Sequence, residues 1–90
     1  MSGDIVTLVT HVGEVVGRIK VDNEDHLEME NPRLFIPGGD GGTGFANGIC
    51  MTGEPSPSGA IFYKSSIVAV TKTHPELARG WQEATSGIII

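Results

Sequence analysis

Val15-Val16-Gly17-Arg18-Ile19-Lys20-Val21-Asp22 is the stretch that decides the fold of this chain. Val15, Gly17, Ile19 and Val21 share one face of an extended segment, and Val16, Arg18, Lys20 and Asp22 share the other. That is the period-two alternation of a half-buried antiparallel strand. A second block repeats the signal. Within Ile61 to Thr71, residues Ile67, Ala69 and Thr71 alternate with Val68 and Val70, just after the turn-like Lys64-Ser65-Ser66. Together the two blocks outline a small, strongly bent, five-stranded antiparallel barrel. Its expected core is Val6, Leu8, Ile19, Val21, Leu27, Met29, Ile67 and Ala69. Gly17 inside the strand marks a bend or a close approach of backbone, as small barrels need where a strand curls between half-sheets.

Outward from that stretch, Asp4 to Thr10 reads as the first strand, and Gly13 marks the tight turn that follows it. His26 to Ile36 reads as the third strand, with Leu27 and Met29 inward and Glu28 and Glu30 outward. Asn31-Pro32 interrupts it, because proline cannot donate to a ladder and pushes its predecessor to an extended conformation. The interruption belongs on an edge or at a kink. Residues Pro37 to Gly59 hold eight of the 13 glycines and three of the five prolines, the mark of a long insertion loop. Within it Asn47-Gly48 is a hairpin signal that would add Ile49, Cys50 and Met51 to the sheet. Gly38 to Gly44 is glycine-rich, but no Lys-Ser or Lys-Thr pair follows and no helical pattern starts there. It reads as a flexible connection, not a phosphate loop.

Ala60 to Tyr63 and Ile67 to Lys72 supply two more short strands, and a helix begins after Lys72. Thr73 suits its N-cap, with Pro75 in the first turn and Glu76 three residues on in a capping box. Leu77, Trp81 and Ala84 at i, i+4 and i+7 form one apolar stripe, weakened by Gly80. The expected organisation is a barrel over residues 1–72, with residues 37–59 inserted, followed by a helix and tail over residues 73–90.

Ninety residues make one domain, small enough that oligomerisation is a common remedy for a thin core. Apolar residues at 39% and charged residues at 19% describe a globular chain, and no apolar run nears the roughly 18 residues of a membrane span. No membrane partner is therefore expected. The start Met1-Ser2-Gly3-Asp4 lacks a secretory signal, which points to the cytoplasm. Cys50 has no partner for a disulfide and suits a small apolar filler. A net charge of −5 opposes generic attraction to nucleic acid, because such affinity comes from Lys and Arg neutralising phosphates. Asp22, Glu24, Asp25, Glu28 and Glu30 crowd one turn and the strand after it. Calcium loops need a central glycine that Asp22-Asn23-Glu24-Asp25 lacks, so this cluster reads as a solvated face. His11, His26 and His74 are too far apart in sequence for a metal motif, and no Ser or Cys has a nucleophile setting. Catalytic residues, metals and cofactors are expected to be none, and the chain is not expected to be an enzyme.

The order of strands, the Gly-bearing second strand, the acidic turn and the block Phe62-Tyr63-Lys64-Ser65-Ser66-Ile67-Val68-Ala69-Val70 resemble the Sm-like (LSm) family, and most closely its small viral members of cyanophage origin. Gly17-Arg18-Ile19-Lys20-Val21-Asp22 is similar to the family's first motif. Phe62-Tyr63-Lys64-Ser65-Ser66-Ile67 is similar to its second, an apolar-Arg-Gly turn between the last two strands. The resemblance covers Ile5 to Lys72; the glycine-rich insertion and the C-terminal helix lie outside the usual pattern, where the helix is N-terminal. It implies a homo-oligomeric ring of about five to seven subunits, closed by edge pairing through Ala60, Ile61, Phe62 and Tyr63 against a neighbour's Ile67, Val68, Ala69 and Val70. It also implies single-stranded RNA as a partner at the inner rim, and host-cell cytoplasm as the setting of a viral member. The positions matching the family's pocket are Asn23, His26, Tyr63 and Lys64. Here Tyr63 stands where the family has Arg and Lys64 where it has Gly. His26 or Tyr63 would stack a base and Lys64 would meet a phosphate, with Glu24 and Asp25 opposing. A ring scaffold that kept the barrel and lost the pocket is the alternative.

Overall fold

A computed structural model of the chain describes residues 3–37, 43–46, 48–49, 52–53 and 57–85. Its elements are β1 (Ile5–Thr10), β2 (Gly13–Asp22), β3 (His26–Pro37), β4 (Thr43–Phe45), β5 (Gly59–Tyr63), β6 (Ile67–Lys72) and α1 (Pro75–Thr85), with a 3-10 turn over Lys64–Ser66. The six strands form one antiparallel sheet in the order β4-β3-β2-β1-β6, and β5 lies beside β3 as well. The fold is mainly β with one C-terminal helix, as the alternating blocks imply. It departs from a closed five-stranded barrel in two ways. The sheet is open, because β5 pairs with β3 and β6 with β1 but not with each other, and the insertion contributes a sixth strand. That strand forms at Thr43–Phe45, where Phe45 faces Phe35, and not at the expected hairpin. Gly48 and Ile49 lie outside any strand, and Asn47, Cys50 and Met51 lie outside the described residues.

Register shifts decide which side chains reach the core. Arg18 faces Glu30 while Val16 faces Arg33, so Asn31 and Pro32 together oppose the single residue Gly17. This β-bulge has Asn31 at φ 49, a left-handed conformation that asparagine tolerates. The extra residue reverses the alternation along β3, so that Leu27, Met29 and Leu34 all contact the same core. Gly17 is required beneath the bulge. A Cβ there would stand 3.2 Å from the Glu30 carbonyl and 3.3 Å from Pro32 Cα.

The same mechanism corrects two expected core positions. Ile19 faces Met29, but Val21 faces Glu28, so Lys20 is an extra residue and Val21 shares the outward side with Glu28, half-buried. In β6, Ala69 faces Val9 and Ile67 faces Thr10; Val68 is the extra residue there, and Ala69 is exposed. Val6, Leu8, Ile19, Leu27 and Met29 are buried as expected, joined by Val15, and Ile67 packs half-buried against them.

The opposite face of β2 carries the helix. Val16, Thr7 and Arg33 are buried there, and Thr7 Oγ1 and Thr73 Oγ1 share a hydrogen bond of 2.9 Å. Because Thr73 is engaged with β1, the helix cap falls to His74, whose Nδ1 accepts the Glu76 N–H at 3.1 Å while its carbonyl accepts the Ala78 N–H at 2.8 Å. The packed stripe is correspondingly rotated. Trp81 is 2% exposed, with Ala78 and Thr85 half-buried beside it, whereas Leu77 and Ala84 face outward. Trp81 Nε1–H donates to the Asn31 carbonyl at 2.9 Å, and the Arg18 guanidinium lies 5.7 Å from the indole centroid. The helix therefore lies on its own sheet. Among the described residues no helix is long and apolar enough to cross a membrane.

Candidate functional site

The β2–β3 turn is closed by the Asn23 N–H donating to the His26 carbonyl at 2.9 Å. From the other end of the chain, the Lys64 N–H donates to the Asp25 carbonyl at 2.8 Å, which ties the 3-10 turn after β5 to this turn. The β3–β5 ladder places Tyr63 directly opposite His26. Four residues chosen from two distant segments thus converge: Asn23, His26, Tyr63 and Lys64 occupy one rim of the sheet.

Their contacts define what the rim can do. Asp25 Oδ1 accepts from His26 Nδ1 at 2.8 Å, and Asn23 Nδ2 lies 3.1 Å from His26 Nε2, so both ring nitrogens are engaged. The hydrogen bond from His26 is the largest cause holding the Asp25 carboxyl below its ordinary pKa, with a backbone hydrogen bond next and a weaker pull from Lys64. The imidazole meets the Tyr63 ring edge-on, with centroids 6.3 Å apart. Tyr63 itself is 60% exposed, an open aromatic face on which a planar group can stack. Lys64 Nζ donates to Asp22 Oδ1 at 2.8 Å. Such a surface ion pair is worth about 0–1 kcal/mol and exchanges readily for another anion. Asp22 and Asp25 as partners were not legible as such in the sequence. Asp22 and Lys64 are 42 positions apart, and no local spacing connects them.

The strand edges form a second feature. Ala60 and Phe62 face Met29 and Leu27 on the core side, while Ile61 and Tyr63 point outward, with Ile61 51% exposed. On β6, Val68 is 60% and Val70 41% exposed, and Ala69 is exposed between them. All eight of the expected interface positions therefore lie on β5 and β6, which, like β4, have outer edges with no partner among the described residues. Where the β1–β2 turn approaches β5, an apolar cavity of about 230 Å³ opens beside Val12, Val15, Ile49 and Phe62.

A further polar centre escaped the sequence reading. Arg33 is 6% exposed, and its Nη1 donates to the Pro32 carbonyl at 2.9 Å and the Pro57 carbonyl at 3.0 Å. Burial pulls its pKa down. It anchors the end of the insertion to β3. No protein-family model matches the chain, and no curated protein matches its sequence.

Proposed function

We propose that this chain is an Sm-like protein, of the kind carried by cyanophages, that assembles into a homo-oligomeric ring whose rim makes weak contact with single-stranded RNA. One observation carries the reading. Beside β4, β5 lies on the outer side of β3 and β6 ends the opposite side of the sheet, which leaves two strands of five and six residues on opposite sides, each with an edge unpaired among the described residues and with exposed apolar side chains. Unpaired edges are a liability, and joining β5 of one subunit to β6 of the next around a closed rotation removes it while covering Ile61, Val68 and Val70. Light scattering coupled to gel filtration at micromolar concentration should give a mass several times 9.5 kDa. A clean monomer overturns the ring.

For the rim, the supporting observation is the meeting of Asn23, His26, Tyr63 and Lys64, which offers an aromatic face, an amide and one cation per subunit. With −5 per subunit, binding should be weak and fall steeply as salt rises. Lys64→Ala should weaken it and flatten the salt slope, whereas Arg79→Ala on the helix should do neither. The scaffold reading is favoured by the acids around Lys64 and by its ion pair with Asp22. Fluorescence anisotropy with labelled oligonucleotides at low salt separates the two, and no binding at tens of micromolar protein leaves the scaffold.

A further inference from the structure

We infer that the cleft between α1 and the bulge of β3 is a binding site for a phosphate group carried on a sugar, with Arg18 as its anion contact. The cleft opens on the helix side of the sheet and does not depend on the rim reading. It has a volume of about 370 Å³ and is lined by Arg18 of β2, Asn31 of the bulge, and Trp81, Gln82 and Thr85 of α1. Ligand sites run from about 300 to 1,000 Å³, so a phosphate and the sugar next to it can be accommodated.

The bulge and the helix together decide where the guanidinium goes. Arg18 stands directly across the ladder from Glu30, an ordinary setting for an ion pair, yet the two make none. Instead the guanidinium lies 5.7 Å from the Trp81 indole centroid, and its Nη1 donates to the Gly3 carbonyl at 3.0 Å. Neither partner carries a charge. The half-buried cation therefore has no carboxylate against it among the described residues, and the rest of its five-donor fork has no acceptor among them. Such a fork matches two oxygens of a phosphate. Gln82 brings an exposed side-chain amide from the helix, and Asn31 brings another from the bulge, its backbone groups already committed to Ser58 and Trp81. Thr85 Oγ1 donates to the Trp81 carbonyl at 2.8 Å, which leaves its lone pairs to accept from a sugar hydroxyl. Glu30, although it does not line the cleft, and Glu83, next to Gln82 in sequence, oppose an anion at longer range. With one cation set against them, half-saturation should fall at about 1 mM.

The source of the phosphate is a free sugar phosphate or the sugar-phosphate backbone of a nucleic acid, and the test separates the two. Trp81 is the only tryptophan, so its emission reports on the cleft. The full chain is titrated with ribose 5-phosphate, with chloride as the control at constant ionic strength, and followed by Trp81 emission and by nitrogen-15 NMR of the Arg18 Nε–H and the Gln82 side-chain amide. Ribose 5-phosphate should give a saturable response in both readouts, and chloride should give none. Arg18→Gln should weaken binding at least about tenfold through loss of a charge-assisted contact, and so should Gln82→Glu, which puts a carboxylate at the cleft from an exposed helix position. Arg79→Gln, on the exposed side of the same helix, should change nothing, and circular dichroism should show each variant folded. In parallel, anisotropy of a labelled single-stranded RNA is measured for wild type and Arg18→Gln: affinity lost in the variant assigns the cleft to a nucleic-acid backbone, and affinity retained assigns it to the free sugar phosphate. A response shared with chloride, or one that survives in both cleft variants, overturns the site. So does the absence of any response up to about 20 mM ribose 5-phosphate when RNA binding is also indifferent to Arg18→Gln.

Discussion

Gly17→Ala tests the packing that lets β3 bulge and still supply the core. The added Cβ would lie 2.9 Å from Met29 Cε, 3.2 Å from the Glu30 carbonyl oxygen and 3.3 Å from Pro32 Cα. The first neighbour is the end of a flexible side chain, but Met29 is buried in the central cluster, and its methyl can retreat only by displacing others. The other two are bulge backbone, fixed by the Asn31 N–H donating to Ser58 at 3.0 Å and by Trp81 donating to Asn31 at 2.9 Å. Overpacking of this kind costs about 1–3 kcal/mol, and alanine returns about 0.4–1 kcal/mol by restricting the unfolded chain, which bounds the net loss to about 0–2.6 kcal/mol; because two of the three neighbours are fixed backbone, the expected loss is about 1–2 kcal/mol. Urea unfolding followed by Trp81 fluorescence at fixed protein concentration should show a midpoint lowered by about 0.5–1.5 M with an unchanged slope. Adding Met29→Leu, which removes the Cε atom, should recover part of the loss and leave the backbone part. A change below about 0.5 kcal/mol, or complete rescue by Met29→Leu, would refute the reasoning.

Trp81→Phe keeps most of the buried ring but loses the hydrogen bond to Asn31, and thermal unfolding should show a loss of about 1–2 kcal/mol; an unchanged midpoint contradicts this. Arg33→Met leaves the Pro57 carbonyl without its donor and should cost about 1–3 kcal/mol by urea titration, whereas a stabilised variant would mean that burying the cation outweighs its bonds. The folded-state pKa of Asp25 is depressed, so its contact with His26 stabilises the fold above the ordinary value of 3.8 and is lost as pH falls through the lower folded value. Asp25→Asn should therefore flatten the stability profile in acid below about pH 4, and a profile parallel to wild type counts against the contact. Val68→Lys places a charge on the outer edge of β6 and should reduce the solution mass toward the monomer while leaving the circular dichroism spectrum unchanged.

Much of the sheet could be read from alternation because its cause is local. Val15, Gly17 and Ile19 share a face whatever the partner strand does, and Gly17 in that run signalled close backbone approach. Val21 and Ala69 were misplaced because burial beyond a bulge depends on which residue the opposing strand skips, a property of the ladder that neither strand carries alone. The helix showed the same division. Its position and length followed from Pro75 and the apolar spacing, but its packed face did not, because Trp81 is oriented by a carbonyl 50 residues earlier.

Asn31-Pro32 shows why a break in pattern carried more than the pattern itself. In sequence it was only an interruption of a strand. In the fold, the Asn31 N–H holds Ser58 at the end of the insertion, the Asn31 carbonyl holds Trp81 of the helix, and the neighbouring Arg33 holds Pro57. The Asn31 amide extends the β3–β5 pairing by one residue to Ser58, while its carbonyl, turned by the bulge, takes the Trp81 N–H, so one irregular residue docks both the start of β5 and the helix. The rim at the other end of β3 then follows. With the insertion end fixed at Ser58, β5 must start at Gly59 and pair back along β3, which sets Tyr63 against His26 and delivers Lys64 to Asp22. The candidate site is thus positioned by the bulge five residues away from it on the same strand, and a substitution that removes the bulge should disperse the rim as well as the core.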